Sequence, residues 1–208
     1  MILQNYYYYF KKALSHKFCD DIIKHGLNKN QEKGKIGSEK KILEKSKNKQ
    51  KANKDLLKIR NSNVIWMNDE WIYNAIVPFI NEANKEAGWN FDIDWMEDCQ
   101  FTIYNKTQHY SWHSDQFANP MQSTDPNFNG KIRKLSAIVS LSNPKEYKGG
   151  TLEFQYRDEP KVKNYPCKEI KEKGSIIVFP SFVWHRVTPV TSGTRHSLVL
   201  WSVGKPYR

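Results

Sequence analysis

The chain has 208 residues, a length that suits one domain with a sizeable core. Its 33 Lys and Arg against 22 Asp and Glu give a net charge of +11, a balance that attracts acidic or nucleic-acid partners. Cys19, Cys99 and Cys167 are scattered with no CxxC pair, which argues against a disulfide framework or a structural zinc site, and no apolar run approaches the ~20 residues of a membrane span. The tyrosine-rich start lacks a secretory pattern, so the sequence predicts a soluble cytoplasmic protein with no membrane partner.

The run from Ile2 to Leu14 opens as a strand, and Ser15 then reads as an N-cap with Phe18, Ile22 and Ile23 at helical spacing and Gly26 as the stop. Residues 28–58 differ from everything around them. They hold eleven Lys against four acidic residues and no aromatic side chain, and so carry +7 of the net charge. Such a segment buries too little apolar surface to order itself well, and it reads as a mobile Lys-rich insertion or basic arm. The rest of the chain is then only weakly basic, and a nucleic-acid surface spread over the whole fold is not expected.

Arg60 to Met67 reads as a strand. Asn68 or Asp69 starts a helix to about Ala87, with Trp71, Ala75, Ile76, Phe79 and Ile80 on its inward face, Pro78 bending it and Gly88 ending it. Strands are predicted over Phe91–Trp95, Glu97–Tyr104, Leu135–Leu141, Thr151–Tyr156, Val162–Tyr165, Glu169–Ile170, Ser175–Phe179, His185–Val190 and Arg195–Val203. Many short strands with Gly and Pro between them imply a sandwich or barrel.

Within this series, FTIYNKTQHYSWHSD places His113 and Asp115 two residues apart. On a strand those two side chains share a face while Ser114 points away. An HxD pair alone is as readily a solvated strand end. Here His185 follows in IIVFPSFVWHRV, and Arg195 in SGTRHS. Two imidazoles and one carboxylate are the donor set of the non-haem Fe(II) oxygenases, which leave open positions on the metal. Zinc could take the same donors but would leave oxygen chemistry undone.

The ordered set YNKTQHYSWHSD, YKGGTLEF and GSIIVFPSFVWHRVTPVTSGTRHSLVLW resembles the Fe(II)- and 2-oxoglutarate-dependent dioxygenases of the prolyl 4-hydroxylase type, and among them the bacterial PKHD-type hydroxylases. The resemblance covers residues 97–203, about half the chain. It implies a mainly β fold with supporting helices, a double-stranded β-helix or jelly roll, within a single domain of residues 1–208 whose catalytic core is 97–203. It implies His113, Asp115 and His185 as metal ligands for Fe(II). Arg195 is the expected anchor for the far carboxylate of 2-oxoglutarate, since a guanidinium fork matches a carboxylate. Tyr104, Tyr110, Ser197 and Trp201 match positions around the co-substrate, and Arg133 matches a substrate-contacting position, although a surface role suits it nearly as well. Oxygen is the second co-substrate and ascorbate a supporting reductant.

The implied activity is hydroxylation of a C–H bond, with a prolyl residue of a protein or peptide as the leading substrate. The competing readings are a hydroxylase of a free amino acid or other small molecule and an inactive binding module on the same fold. Demethylation of nucleic-acid bases is disfavoured: enzymes of that type carry a second arginine soon after the anchor, and here no Arg follows Arg195 until Arg208. Two departures stand out. Ser140 occupies a position where oxygen-sensing animal enzymes of the family carry a tyrosine, and the Lys-rich segment has no clear family counterpart.

Overall fold

In a computed structural model the described residues are 5–156 and 162–207. They form three antiparallel sheets and four helices. The large sheet runs β1 (Tyr8–Phe10), β12 (Ile176–Pro180), β8 (Ile132–Ser140), β15 (Arg195–Gly204), β6 (Cys99–Tyr104), β4 (Asn63–Met67) and β2 (Glu32–Lys33), with β5 (Trp95–Met96) also on β15. The second sheet runs β11 (Tyr165–Pro166), β10 (Leu152–Gln155), β13 (Trp184–Val187), β7 (His109–His113) and β3 (Arg60–Asn61), and a small ribbon pairs β14 (Val190–Gly193) with β9 (Tyr147–Gly149). This is the mainly β, double-stranded β-helix architecture expected from the sequence.

The large sheet is buried on both faces, and its strands sort their side chains by parity. Ile176 and Val178 of β12 join Leu135, Ala137 and Val139 of β8 and Leu198 and Leu200 of β15 in a core on one face. Ile177 and Phe179 turn the other way, with Ile138, Phe154 and Val187, into the core between the sheets. The face of β15 that carries Leu198 is therefore closed by helices. The opposite face, carrying Arg195, Ser197, Val199 and Trp201, looks at the second sheet.

Two helices cover the outer face. In α1 (His16–Leu27), Ser15 is the expected N-cap, its Oγ accepting from Phe18 N at 3.1 Å. Gly26 does not stop this helix. It is buried one residue before the end, and a Cβ on it would stand 2.7 Å from the Phe101 ring, so its role is close approach to the sheet. In α4 (Glu70–Glu86), Ile72, Ile76, Ile80 and Ala83 are buried on one stripe, whereas Trp71, expected inward, is 38% exposed and meets Phe18 and His25 of α1 edge-on instead. Burying each isoleucine contributes roughly 1.5–3 kcal/mol, which outweighs the ~3 kcal/mol cost of Pro78 inside the helix. Gly88 follows with φ +74°, beyond the helix end.

Three local expectations differ from the structure. The Lys-rich segment carries β2, α2 (Glu39–Lys45) and α3 (Lys49–Ile59). Ala52 and Leu56, four residues apart on one helical face, are buried, and Lys58 O meets His109 Nε2 at 2.9 Å and Ser111 Oγ at 3.1 Å. A small apolar stripe plus strand-edge hydrogen bonds thus seats a helix that composition alone leaves out. Phe91–Ile93 is not a strand, because Asn84 takes over the Phe91 backbone: its Nδ2 donates to Phe91 O and its Oδ1 accepts from Phe91 N, both at 2.9 Å. Of the strands expected around Pro166 only Tyr165–Pro166 forms, while the expected Thr151–Tyr156 strand is present as β10. No helix among the described residues is long and apolar enough to cross a membrane.

Ile76→Ala, at a fully buried site, should lower unfolding free energy by about 2–5 kcal/mol in urea denaturation; a loss below about 1 kcal/mol would contradict this account of helix docking.

Candidate metal centre

His113 ends β7 and His185 lies in β13, and the two residues are direct partners in the antiparallel register. Their rings lie 4.2 Å apart between centroids. Asp115 follows β7 by two residues, and its backbone N donates to Ser181 O at 2.9 Å, as does that of Gln116 at 3.0 Å. That pinning brings the carboxylate to the imidazoles. His113 Nε2 is 3.6 Å from Asp115 Oδ1, and His185 Nε2 is 3.6 Å from Asp115 Oδ2. These separations are too long for hydrogen bonds. The donors converge without consuming one another, as ligands of a common ion do.

The tautomers follow from the backbone. His113 Nδ1 lies 2.8 Å from Ser111 O and His185 Nδ1 lies 3.0 Å from Val183 O. A carbonyl only accepts, so each Nδ1 carries the proton and each Nε2 presents its lone pair inward. Burial pushes the His113 imidazole down to about 3. Burial pushes Asp115 up, but the His185 and His113 imidazoles and the Arg133 guanidinium outweigh it and hold the carboxyl at about 2. Near neutral pH the site therefore offers a neutral imidazole and an anionic carboxylate, the protonation states metal binding needs. Asp115 Oδ2 also accepts from Ser136 Oγ at 2.7 Å, and Ser136 Oγ lies 2.9 Å from Ser181 Oγ. Among the described residues these three are the one His/Cys/Asp/Glu cluster able to hold a metal ion, their donor atoms within 4.8 Å of one another. Two imidazole nitrogens and one carboxylate fit Fe(II).

The cavity beside them has a volume of about 680 Å³. Arg195, at the start of β15, is 2% exposed and lines it. Its Nη1 donates to Ser197 Oγ at 3.2 Å, and its Cζ lies 5.5 Å from the Tyr104 ring, the residue opposite it on β6. No carboxylate pairs with Arg195 among the described residues. Tyr104 is buried, which pushes its phenol up. Tyr110 stacks on His113 at 3.5 Å between centroids, and burial pushes its phenol up to about 12. Trp201 walls the cavity, on the same face of β15 as Arg195. Ser140, paired with Ser197 across β8 and β15, lines a smaller cavity of about 270 Å³ on the other side of Arg195.

Arg133 sits at this site but its fork is filled. Nε and Nη2 each donate to the Glu97 carboxylate at 2.6 Å, and Cζ lies 3.9 Å over the Trp201 ring. Paired in this way, it stiffens the wall behind Asp115. Ser136, Ser181 and the Glu97 partner were not singled out in the sequence. Ser136 carried a signal, a polar residue at inward parity within the otherwise apolar run Leu135–Val139.

Residues 99–203, just over half the chain, match the model of the 2OG-Fe(II) oxygenase superfamily. The chain belongs to that superfamily. A PKHD-type hydroxylase of Pseudoalteromonas atlantica is 34% identical over 104 residues, which are 49% of this chain and 41% of that protein. One from Shewanella sp. MR-7 is 36% identical over 103 residues, 49% of this chain and 40% of the relative. The matched region thus spans about two-fifths of the length of these curated relatives. Among solved structures, a viral collagen prolyl hydroxylase from Paramecium Bursaria Chlorella virus-1 superposes with a TM-score of 0.62 at 21% identity, covering 97% of both chains. A Pseudomonas putida prolyl-4-hydroxylase gives 0.63 at 16% identity, covering 98% of this chain and 95% of its own. At such identities these likenesses establish the shared fold.

Ser136→Ala should weaken Fe(II) or Mn(II) affinity about 10–100-fold in a metal titration, because Asp115 loses the donor that orients it; unchanged affinity would remove Ser136 from the metal centre.

Proposed function

We propose that the chain is an Fe(II)- and 2-oxoglutarate-dependent dioxygenase that hydroxylates a C–H bond. The single observation that carries this is the meeting, in one cavity, of His113, Asp115 and His185 with a buried Arg195 that has no carboxylate partner among the described residues. The first three would hold the metal. Arg195 would take the far carboxylate of 2-oxoglutarate, with Tyr104 and Ser197 beside it.

Bound Fe(II) with 2-oxoglutarate would activate O₂, the oxidant: one oxygen atom would enter the substrate as hydroxyl and the other the succinate formed, with CO₂, from 2-oxoglutarate. The chain's own residues bind, orient and exclude water. Ser111 O and Val183 O hold the two imidazoles in the inward-facing tautomer. Ser136 fixes the carboxylate of Asp115. Arg195, buried against Tyr104 and Ser197, offers a strong and directional charge-assisted contact. Ile138, Val187 and Val199 line the cavity and keep it poor in water. Tyr110, stacked on His113, limits rotation of that ring.

A prolyl residue in a protein or peptide is the leading substrate. Likeness to proteins named PKHD-type hydroxylase and prolyl hydroxylase supports it, as does a related fold from Trichoplax adhaerens solved with a peptide fragment. The donor set is complete and its tautomers are fixed for metal binding, which favours catalysis over an inactive binding module.

The test is succinate formation from 2-oxoglutarate under air with Fe(II). Asp115→Ala should abolish it while circular dichroism stays native. Arg195→Gln should raise the KM for 2-oxoglutarate at least about tenfold, the scale of one lost charge-assisted contact. Undiminished turnover in Asp115→Ala, or an unchanged KM in Arg195→Gln, would overturn the assignment.

A further inference from the structure

The cavity holds a second buried guanidinium. Arg60, at the start of β3, is 7% exposed and lines the cavity wall. Its Nε donates to Ser62 Oγ at 3.0 Å and its Nη1 to Lys35 O at 2.8 Å. Its Nη2 is buried and has no hydrogen-bond partner among the described residues. Its Cζ lies 4.5 Å over the Tyr110 ring, whose own stacking partner is His113. No carboxylate pairs with Arg60 among the described residues. A buried, unpaired donor on a charged group costs ~1–3 kcal/mol or more, and a guanidinium cannot escape by losing its proton.

The charges around Arg60 sharpen the demand for an acceptor. Among the described residues Asp115 is the sole acidic side chain lining this cavity, and it faces the two imidazoles. Arg133 is already matched by Glu97. Lys35 and Lys41 line the mouth; Lys41 has no ion pair among the described residues, and the Lys35–Glu32 separation is 4.0 Å between exposed groups, a weak contact. Once a 2-oxo diacid has taken Arg195, one guanidinium and two ammonium groups remain unmatched. The packing that creates this wall is tight. A Cβ on Gly34 would stand 2.3 Å from Ser62 Oγ and 2.6 Å from Arg60 Nε, so only glycine lets the chain lie close enough for Lys35 O to cap Nη1.

We propose that Arg60, with Lys35 and Lys41, binds a carboxylate of the substrate itself. A single unfilled nitrogen suits a planar monoanion better than a phosphate dianion with three acceptor oxygens. The carboxylate has two possible sources: an acidic side chain flanking the target residue of a peptide, or the α-carboxylate of a free amino acid. The proposal rests on the hydroxylase reading above and makes Arg60 a specificity-determining residue of that site.

Calorimetric titration tests it on protein loaded with Zn(II), which is redox-inert, and N-oxalylglycine in place of the co-substrate. The probes come as acid and amide pairs: an end-blocked pentapeptide with Pro between two Asp residues against its Asn counterpart, and L-proline against L-prolinamide. In at least one pair the acid should bind about tenfold or more tightly than the amide, and the pair that responds identifies the source. Arg60→Gln should bring that ratio near unity, and Lys41→Gln should cut it a few-fold, while 2-oxoglutarate affinity shifts little in either. Acid and amide binding alike in both pairs, or neither acid binding, would overturn the proposal. So would a preference that survives Arg60→Gln, or a loss of 2-oxoglutarate affinity there as large as in Arg195→Gln. The wild-type comparison needs no variant, and Lys41 is exposed, so misfolding of Arg60→Gln leaves the test intact. Failure of the hydroxylase reading would look different: no Fe(II)–2-oxoglutarate charge-transfer absorption in the wild type, whatever the probes do.

Discussion

His113 and His185 face one another because β7 and β13 pair antiparallel in one register, and the site depends on that pairing. A slip of one residue in either strand would turn its imidazole to the opposite face, away from the other. The register is held from outside the site. His185 packs against Phe179 and Phe154 in the core between the sheets, with ring centroids 4.8 and 6.3 Å away. Just beyond β7, the Asp115 and Gln116 backbones are tied to Ser181 O. The loop that carries the carboxylate is thereby fastened to the segment that leads into the second histidine strand.

The parity of β15 supplies the other half of the cavity. Leu198 and Leu200 face the helices, so Arg195, Ser197, Val199 and Trp201 face inward. One strand thus contributes the guanidinium at the deep end and the indole at the side. The charge pattern on this inner face is uneven. Arg133 is neutralised by Glu97, whereas Arg195 and Arg60 have no carboxylate of their own among the described residues. Buried cations left without an internal partner weaken the fold, and the carboxylates of the proposed co-substrate and substrate would supply the missing anions.

Much of this was legible in the sequence because alternation is a strong signal. The HxD spacing, the apolar run before His185 and the alternation from Arg195 to Trp201 each place side chains by parity alone, and the structure brings them together. What escaped depends on contacts between distant residues. Glu97 as the partner that fills the Arg133 fork could not be read from either residue's surroundings in the chain. Ser136 lay on a predicted strand, but its bond to Asp115 requires knowing that β8 passes behind β7. The Lys-rich segment misleads most: Ala52 and Leu56 are too few to announce a buried helix, yet β3 and β7 give that helix a place to dock. Arg60 sat within a predicted strand without any mark of function, and only its place in the cavity wall and its buried Nη2, unpaired among the described residues, set it apart.

The central claim is that His113, Asp115 and His185 hold Fe(II) with positions left for a chelating 2-oxo acid. Anaerobic titration of the wild-type protein with Fe(II) and then 2-oxoglutarate, followed by visible absorption, tests it most directly. The account predicts a charge-transfer band that saturates at one equivalent of each and is lost in His185→Ala. A folded wild-type protein that gives no band, or a band that persists unchanged in His185→Ala, would contradict it.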